Sequence, residues 1–137
     1  MQKTKNERLM GLLKDLRKVG DIEGSSIVSR DGLIIASDLL ADVDTKTFAA
    51  MSAAMTGAAE TATTELKRGN PEQIIVDSKL GSVIATGAGK KAILVCLIKP
   101  RANLGLVLLN MNKSSKKISK ILKRKIYLIE YQEDLQF

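Results

Sequence analysis

The spacing of hydrophobic residues changes several times along the chain, and each change predicts a new element. Residues 6–19 carry four leucines at helical spacing with charged residues between them, which predicts an amphipathic helix. The apolar runs 25–29 and 33–37 flank Arg30, Asp31 and Gly32, and Asp-Gly between two such runs predicts a β-hairpin. The chain therefore begins with a helix followed by two antiparallel strands.

Residues 47–64 form the least ordinary segment, because they suit a helix yet carry one charge and almost no bulky side chain. Asp42 or Asp44 can cap this helix, which should end near Lys67, before the Arg-Gly-Asn-Pro sequence at 68–71. Successive residues of a helix are rotated by about 100°, which places the side chains of this segment in two stripes on opposite sides of the helix. The stripe expected to face the sheet consists of Phe48, Met51, Met55, Ala59, Ala62 and Leu66. The other consists of Ala50, Ala54, Gly57, Thr61 and Thr64.

The second stripe predicts a packed partner, because a helix surface that faces water normally carries charged side chains. Another copy of the same helix is the first candidate. Small side chains let two helix backbones approach closely, and this adds Ala53 to the expected contact.

Three further β-branched runs, at 73–77, 82–86 and 92–98, predict a meander of three strands. Apolar residues are again spaced as in a helix from Leu104 to Leu122, and Asn103 can cap this predicted helix. The result is an α/β (α+β) fold with a five-stranded antiparallel sheet, covered by the long central helix on one face and by the terminal helices on the other. Residues 1–125 are expected to form a single domain. The pattern leaves open the conformation of the tail at 126–137.

Composition narrows the classes of function. The 137 residues include no histidine, so most hydrolytic mechanisms lose their usual general base and metal sites lose their commonest ligand. Two Phe and two Tyr are too few to favour base stacking on nucleic acid. The lone Cys96 lies in an apolar run and is expected to be a buried hydrophobe. A polar N-terminus and the lack of a long apolar stretch predict a soluble, cytoplasmic protein.

The elements and their residues together resemble the roadblock/dynein light chain family of roadblock/longin-like regulators, in its prokaryotic or archaeal type. The resemblance is carried by residues 22–37, by the Ala- and Met-rich helix, and by residues 103–107. It implies a profilin-like sheet, a dimer formed by paired central helices, and pairing of the strand 73–77 across that dimer. It also implies a non-catalytic protein that binds and regulates a Ras-like small GTPase.

The expected dimer contact combines the residue pattern with what the resemblance implies. The helix contributes the small residues Ala50, Ala53, Ala54, Gly57, Thr61 and Thr64. The strand implied by the resemblance contributes Ile74 and Val76.

Two motifs suggest a ligand but are better explained as turns. The Gly-Ala-Gly-Lys-Lys sequence at 87–91 resembles a phosphate-binding loop, yet Ile84 stands where a first glycine is required and Lys91 where Ser or Thr is required. We interpret it as a hairpin turn, and we expect no cofactor. No metal site is predicted either, because the clustered acids lack the Gly and terminal Glu of a calcium loop. These acids are Asp31, Asp38, Asp42 and Asp44.

The remaining candidates for catalysis are serines and arginines near the turns. Without a histidine, no base activates Ser25, Ser26 or Ser29. Arg30 and Arg68 are interpreted as solvated turn residues, although each has the chemistry of an arginine finger that enters a partner's nucleotide site. The sequence therefore predicts no enzyme.

Net charge of +7 is unevenly distributed along the chain. One short segment contains Lys113, Lys116, Lys117, Lys120, Lys123, Arg124 and Lys125. We interpret it as a solvated helix face, and its functional alternative is an adaptor that attaches to anionic membrane or to nucleic acid. The missing aromatic residues argue against specific nucleic-acid binding, and membrane contact is not the favoured interpretation.

The sequence is therefore compatible with three classes of function. The leading hypothesis is a cytosolic homodimeric scaffold that binds a small GTPase and modulates its nucleotide cycle or localisation. The second is electrostatic attachment through the basic segment. The third, an enzyme or small-molecule sensor that uses a profilin-like cavity, lacks convergent polar or titratable groups in the sequence.

Overall fold

The computed structural model describes the backbone of residues 3–134 and the side chains of residues 3–123. Within this part of the chain it confirms the predicted order of three helices and five strands. The elements are α1 (Lys5–Arg17), β1 (Ile22–Ser29), β2 (Ile34–Asp38), α2 (Thr45–Glu65), β3 (Gln73–Ser78), β4 (Gly81–Gly87), β5 (Ala92–Ile98) and α3 (Leu104–Asp134). α3 therefore continues into the segment whose conformation the sequence left open.

The described strands form one sheet in the order β2-β1-β5-β4-β3, with every neighbouring pair antiparallel. β5 lies at the centre, where its apolar run is buried on both faces. Its neighbour β1 comes from the other end of the sequence, and Ile22 lies opposite Ile98. The predicted hairpin and the predicted meander are thus joined through the β1–β5 pair.

Helices cover both faces of the sheet, as predicted. α1 packs over β1 and β2, and α3 packs beside it over β4 and β5. The larger core lies beneath these two helices and includes Leu9, Leu13, Leu16, Ile22, Ile27, Ile84, Leu94, Cys96, Met111 and Ile118. α2 covers the opposite face above a smaller core of Val28, Ala49, Ala85, Ile93 and Val95. The sheet therefore separates α2 from α1 and α3.

Side chains fix the starts of α2 and α3, as the sequence predicts. Asp44 accepts hydrogen bonds from the hydroxyl of Thr47 and from the backbone N–H groups of Thr47 and Lys46. These hydrogen bonds, led by the one from the Thr47 hydroxyl, favour the carboxylate and hold the pKa of Asp44 below its usual value. Asn103 accepts a hydrogen bond of 3.1 Å from the N–H of Leu106. α2 thus has a charged cap and α3 a neutral one.

The expected rotation of α2 about its axis is wrong in part. Its buried residues are Ala49, Ser52 and Thr56, with Phe48 and Met55 partly buried beside them. Met51 and Leu66 were expected to face the sheet but are 65% and 71% exposed, and Ala62 is also exposed. Short side chains let the helix lie close to the sheet. The residues that face the sheet are therefore small ones rather than the most hydrophobic ones.

Candidate partner-binding surfaces

α2 presents an uncharged surface to the solvent, which we call the α2 outer face. Its exposed residues are Ala50, Met51, Ala54, Gly57, Ala58, Thr61, Ala62 and Thr64. The one acid within residues 47–64, Glu60, points away from this face and pairs with Arg30. Because solvated helix surfaces usually carry charges, this face has the composition of a buried contact.

The middle of the α2 outer face leaves room for a second backbone. A Cβ atom added at Gly57 would meet no atom within 4 Å outside the adjoining residues and backbone of its own helix. Glycine in a helix interior nevertheless destabilises it by about 1 kcal/mol relative to alanine. No contact within the described chain requires a glycine here, whereas close approach of another helix would.

β3 is an open edge of the sheet. One side of the strand pairs with β4 from Gln73 to Ser78, and its other side pairs with no strand among the described residues. Ile75 and Val76 are exposed. The strand contains no proline and a single charged residue, Asp77, so it lacks the usual protection against pairing with another strand.

Two residues expected in the dimer contact are partly buried by contacts within the chain. Ala53 is partly buried, and a Cβ added at Gly32 would lie 3.6 Å from the Ala53 Cβ, so Ala53 packs toward the β1–β2 turn. Ile74 is partly buried against the core beneath α2, whereas Val76 is exposed. The other helix residues of the expected contact all lie on the α2 outer face.

α3 carries the predicted basic segment on its exposed side. Lys113, Lys116, Lys117, Lys120 and Lys123 are exposed, and none of them has an ion pair with a described side chain. The side chains of Arg124 and Lys125 lie outside the described residues. Although α3 is long, no helix in the described part of the chain combines the length and the apolar character needed to cross a membrane.

Arg30 is exposed in the β1–β2 turn, as predicted, but its side chain also makes contacts that the sequence does not predict. Its guanidinium donates to the Glu60 carboxylate and, at 3.4 Å, to the Gly89 carbonyl. The guanidinium lies against Gly87, where an added Cβ would be only 3.3 Å away. The side chain therefore ties the β1–β2 turn to α2 and to the β4–β5 turn. Arg68 is exposed, as predicted.

A cavity of about 300 Å³ lies beside this ion pair, between α2 and the strands β3 and β4. Polar and charged residues line it, among them Arg30, Thr56, Glu60, Glu72 and Lys90. The expectation that convergent polar groups are missing is therefore wrong, because these groups come from segments far apart in the sequence. The cations and anions are balanced, so the cavity favours a ligand of neither sign.

The side chains considered as nucleophiles have structural surroundings. Ser25 is buried, Ser26 donates to the Ala36 carbonyl, and Ser29 accepts from a turn N–H. Burial raises the pKa of Cys96 to about 12, which keeps the thiol protonated near neutral pH. The described residues contain no group of three or more acidic or cysteine side chains that could hold a metal ion.

The Gly-Ala-Gly-Lys-Lys sequence connects β4 to β5, and the predicted hairpin turn is confirmed. The Ala88 N–H donates to the Ala92 carbonyl at 2.9 Å and closes the turn. Because a strand follows this turn, its amides do not form the helix N-terminus that a phosphate-binding loop requires.

Known proteins share this combination of sequence and fold. A family model described as the Roadblock/LC7 domain matches residues 10–98. The chain belongs to the Roadblock/LC7 family. The match extends from α1 to the end of β5 and includes both α2 and β3, and it confirms the resemblance inferred from the sequence.

Relatives of this Roadblock/LC7 chain include the uncharacterized protein MJ1340 of Methanocaldococcus jannaschii, which is 38% identical over 107 residues, 78% of this chain and 93% of that protein. A structure described as MglB with tetrameric arrangement has a TM-score of 0.81 at 17% identity, over 90% of this chain and 94% of that one. Profilin II of Acanthamoeba castellanii has a TM-score of 0.61 at 16% identity, over 85% of this chain and 98% of that one. At such identities the two structures show the fold alone, and it is the predicted roadblock and profilin-like fold.

The stripes predicted from the sequence omit part of the surface that this Roadblock/LC7 chain exposes on α2. Ala58 was not assigned to either stripe, and Met51 and Ala62 were assigned to the wrong one. The signal was nevertheless present, since alanines recur every four residues and form one ridge of the helix. They are Ala50, Ala54, Ala58 and Ala62.

Proposed function

We propose that this protein is a non-catalytic homodimer that binds a Ras-like small GTPase and modulates its nucleotide cycle or its localisation. The observation that carries the proposal is the α2 outer face, an uncharged helix surface in a Roadblock/LC7 chain. The resemblance to the family implies both the dimer and the GTPase partner. A partner of this class places the protein in the cytoplasm.

Two copies of α2 form the centre of the proposed dimer. Packed helices have axes about 8–10 Å apart, and small side chains permit the lower end of that range. The alanine ridge lies beside Gly57 and Thr61, so two copies related by a twofold axis present the same small residues to each other. Met51 is an exposed apolar side chain on this face that loses contact with water when such a partner binds.

β3 extends the same dimer through the sheet. Antiparallel pairing of two β3 strands around the twofold axis satisfies the open edge and joins the two sheets. Val76 lies on one face of the strand and Ile75 on the other, so the pairing covers apolar side chains on both faces. MglB, which has a similar fold, is described in a tetrameric arrangement, so self-assembly occurs in that protein.

Three observations support a binding role rather than catalysis. The sequence lacks histidine. The Cys96 thiol is buried and protonated. Arg30 is held by Glu60, whereas an arginine finger must reach into a partner's nucleotide site. The proposed protein therefore acts on the GTPase by contact, with no cofactor or metal of its own.

Affinity capture tests the GTPase partner. The immobilised protein is exposed to a native cell extract loaded with either GDP or a non-hydrolysable GTP analogue, and bound proteins are identified by mass spectrometry. We expect a small GTPase among them, at different yields in the two nucleotide states. Recovery of no GTPase in either state would overturn the proposal.

Variants connect the capture to the α2 outer face. Gly57→Arg puts a charge in the centre of this face and should abolish GTPase capture, because it removes the composite surface formed by the two helices. Asn6→Arg adds the same charge at an exposed position of α1 and should leave capture intact. If both variants captured less GTPase to the same degree, the added charge would disturb binding wherever it is placed, and the effect would not be specific to the α2 outer face.

A further inference from the structure

The solvent side of α3 has a second ordered surface, which we call the α3 outer face. Its residues are Leu106, Leu109, Lys113, Lys116, Lys117 and Lys120, all exposed. At about 100° per residue they fall within roughly a third of the helix circumference. Leu106 and Leu109 are 44% and 52% exposed, so apolar surface occupies the first turns and lysines occupy the next ones.

The lysines of this face have no ion pair with any side chain that the structure describes. The sequence contains no Asp or Glu between Leu104 and Ile129. Arg17–Asp38, Lys18–Asp15 and Arg30–Glu60 are ion pairs between described side chains, and none of these three involves α3. A helix face that is merely solvated is usually supported by Glu–Lys pairs three or four residues apart, and this one is not.

The neighbouring segments add further cations. On one flank, the β4–β5 turn lies so close to α3 that a Cβ at Gly89 would be 2.9 Å from the Ser119 hydroxyl. Lys90, Lys91 and Lys123 surround the cavity of about 290 Å³ between this turn and the helix.

On the other flank, α1 contributes to the same positive surface. Lys3 and Arg8 line a groove shared with Lys117 and Lys120 of α3. Two acids, Glu7 and Asp15, also line this groove, and Asp15 is paired with Lys18. Cations therefore outnumber acids across the whole width of the surface.

We propose that the α3 outer face binds the surface of an anionic lipid bilayer. A helix with apolar side chains at one end and lysines along the same face can lie in the membrane interface, with the leucines against the acyl chains and the ammonium groups against phosphates. Nucleic acid also attracts cations, but the described part of this face offers no aromatic side chain on which bases could stack.

This attachment does not rest on the proposed function. The α3 outer face and the α2 outer face lie on opposite sides of the sheet, so a membrane-bound chain keeps α2 accessible. Loss of membrane binding and loss of dimer formation can therefore be produced separately by different substitutions.

Sedimentation with lipid vesicles tests the proposal on the full chain. We expect binding to vesicles of phosphatidylcholine mixed with phosphatidylserine, and none to vesicles of phosphatidylcholine alone. The triple variant Lys113→Gln, Lys117→Gln, Lys120→Gln should bind the anionic vesicles on the order of a hundredfold less, since each lysine near such a surface strengthens binding by about fivefold. The control variant Lys46→Gln, Lys67→Gln, Lys79→Gln has the same net charge and should bind like the wild type.

A leucine variant separates a bilayer from a nucleic acid. Leu106→Ser with Leu109→Ser should weaken vesicle binding, because these side chains contact acyl chains in the proposed orientation. Absence of binding to anionic vesicles, or an equal loss for both lysine variants, would overturn the proposal. Tighter binding to a DNA duplex than to the vesicles, unaffected by the leucine variant, would overturn it in favour of nucleic acid.

Discussion

The outer faces of α2 and α3 lie on opposite sides of one sheet and have opposite chemistry. The first combines small side chains with no charge, and the second combines two leucines with a row of lysines. An uncharged small-residue surface gains free energy only at contact distance, after water has been removed. A surface of unpaired lysines attracts anionic partners across a distance set by ionic strength. If both proposals hold, this small domain separates a partner recognised by shape from one recognised by charge.

A charge on the α2 outer face should have the largest effect. Ala54→Arg buries an unpaired cation in the proposed dimer contact and should weaken dimer formation by about 3–5 kcal/mol, measured by sedimentation velocity over a range of protein concentrations. Asn6→Arg, with the same added charge on α1, should form the wild-type dimer. A dimer of Ala54→Arg with wild-type affinity would exclude α2 from the contact.

The inner faces of the same two helices should respond to truncation very differently. Met111 is buried in the larger core, so Met111→Ala should lower the free energy of unfolding by about 2–5 kcal/mol in urea titrations. Ser52→Ala on α2 removes one hydroxyl from the buried line of small residues and should change the free energy of unfolding by less than about 1 kcal/mol. If both variants lowered the free energy of unfolding by similar amounts, the contact of α2 with the sheet would contribute as much stability as that of α3.

Added salt should weaken vesicle binding by the α3 outer face but not dimer formation by the α2 outer face, and one salt titration can measure both. Between about 0.1 M and 1 M salt the Debye length falls from about 10 Å to about 3 Å, which should release the protein from anionic vesicles. The dimer should persist, because its proposed contact contains no charge on α2. A parallel loss of dimer and vesicle binding would contradict the division between the two faces.

The caps of α2 and α3 should differ in their response to pH, with the smallest effect of this series. Because the pKa of Asp44 is lowered by folding, its stabilising contribution is present above the usual value of 3.8 and disappears as the pH falls through the folded pKa. The melting temperature of Asp44→Asn should therefore lie below that of the wild type at neutral pH and approach it in acid. For Asn103→Ser on α3, the difference in melting temperature from the wild type should be the same at every pH. If the difference for Asp44→Asn were also independent of pH, the stabilising role of the carboxylate would be contradicted.

Features encoded by neighbouring residues were predictable from the sequence. The period of the apolar residues predicted every helix and strand. Short polar side chains predicted the cap at Asn103 and limited the cap of α2 to Asp42 or Asp44, of which the structure shows Asp44. The basic segment of α3 and the uncharged segment of α2 were also apparent, because both are continuous in the sequence. Their division between two sides of the sheet followed from the predicted layers.

Features that depend on distant residues were not predictable. The rotation of α2 depends on how closely it approaches the sheet, and this placed Ser52 in the interior and Met51 outside. The Arg30–Glu60 pair joins a turn to a helix across 30 residues, so neither side chain reveals its partner locally. The exposed residues of α2 therefore include most of the predicted contact, whereas Ala53 is partly buried, and the dimer contact itself stays a prediction.

The pairing of β1 with β5 has a consequence for synthesis of the chain. Ile22 pairs with Ile98, so the β1–β5 pairing cannot form until β5 has left the ribosome. The β1–β2 hairpin is complete earlier. Non-local pairing of this kind slows folding, and until it forms the apolar side chains of β1 remain open to wrong partners. Until β5 is available, the edge of β1 that pairs with it is therefore open to other strands.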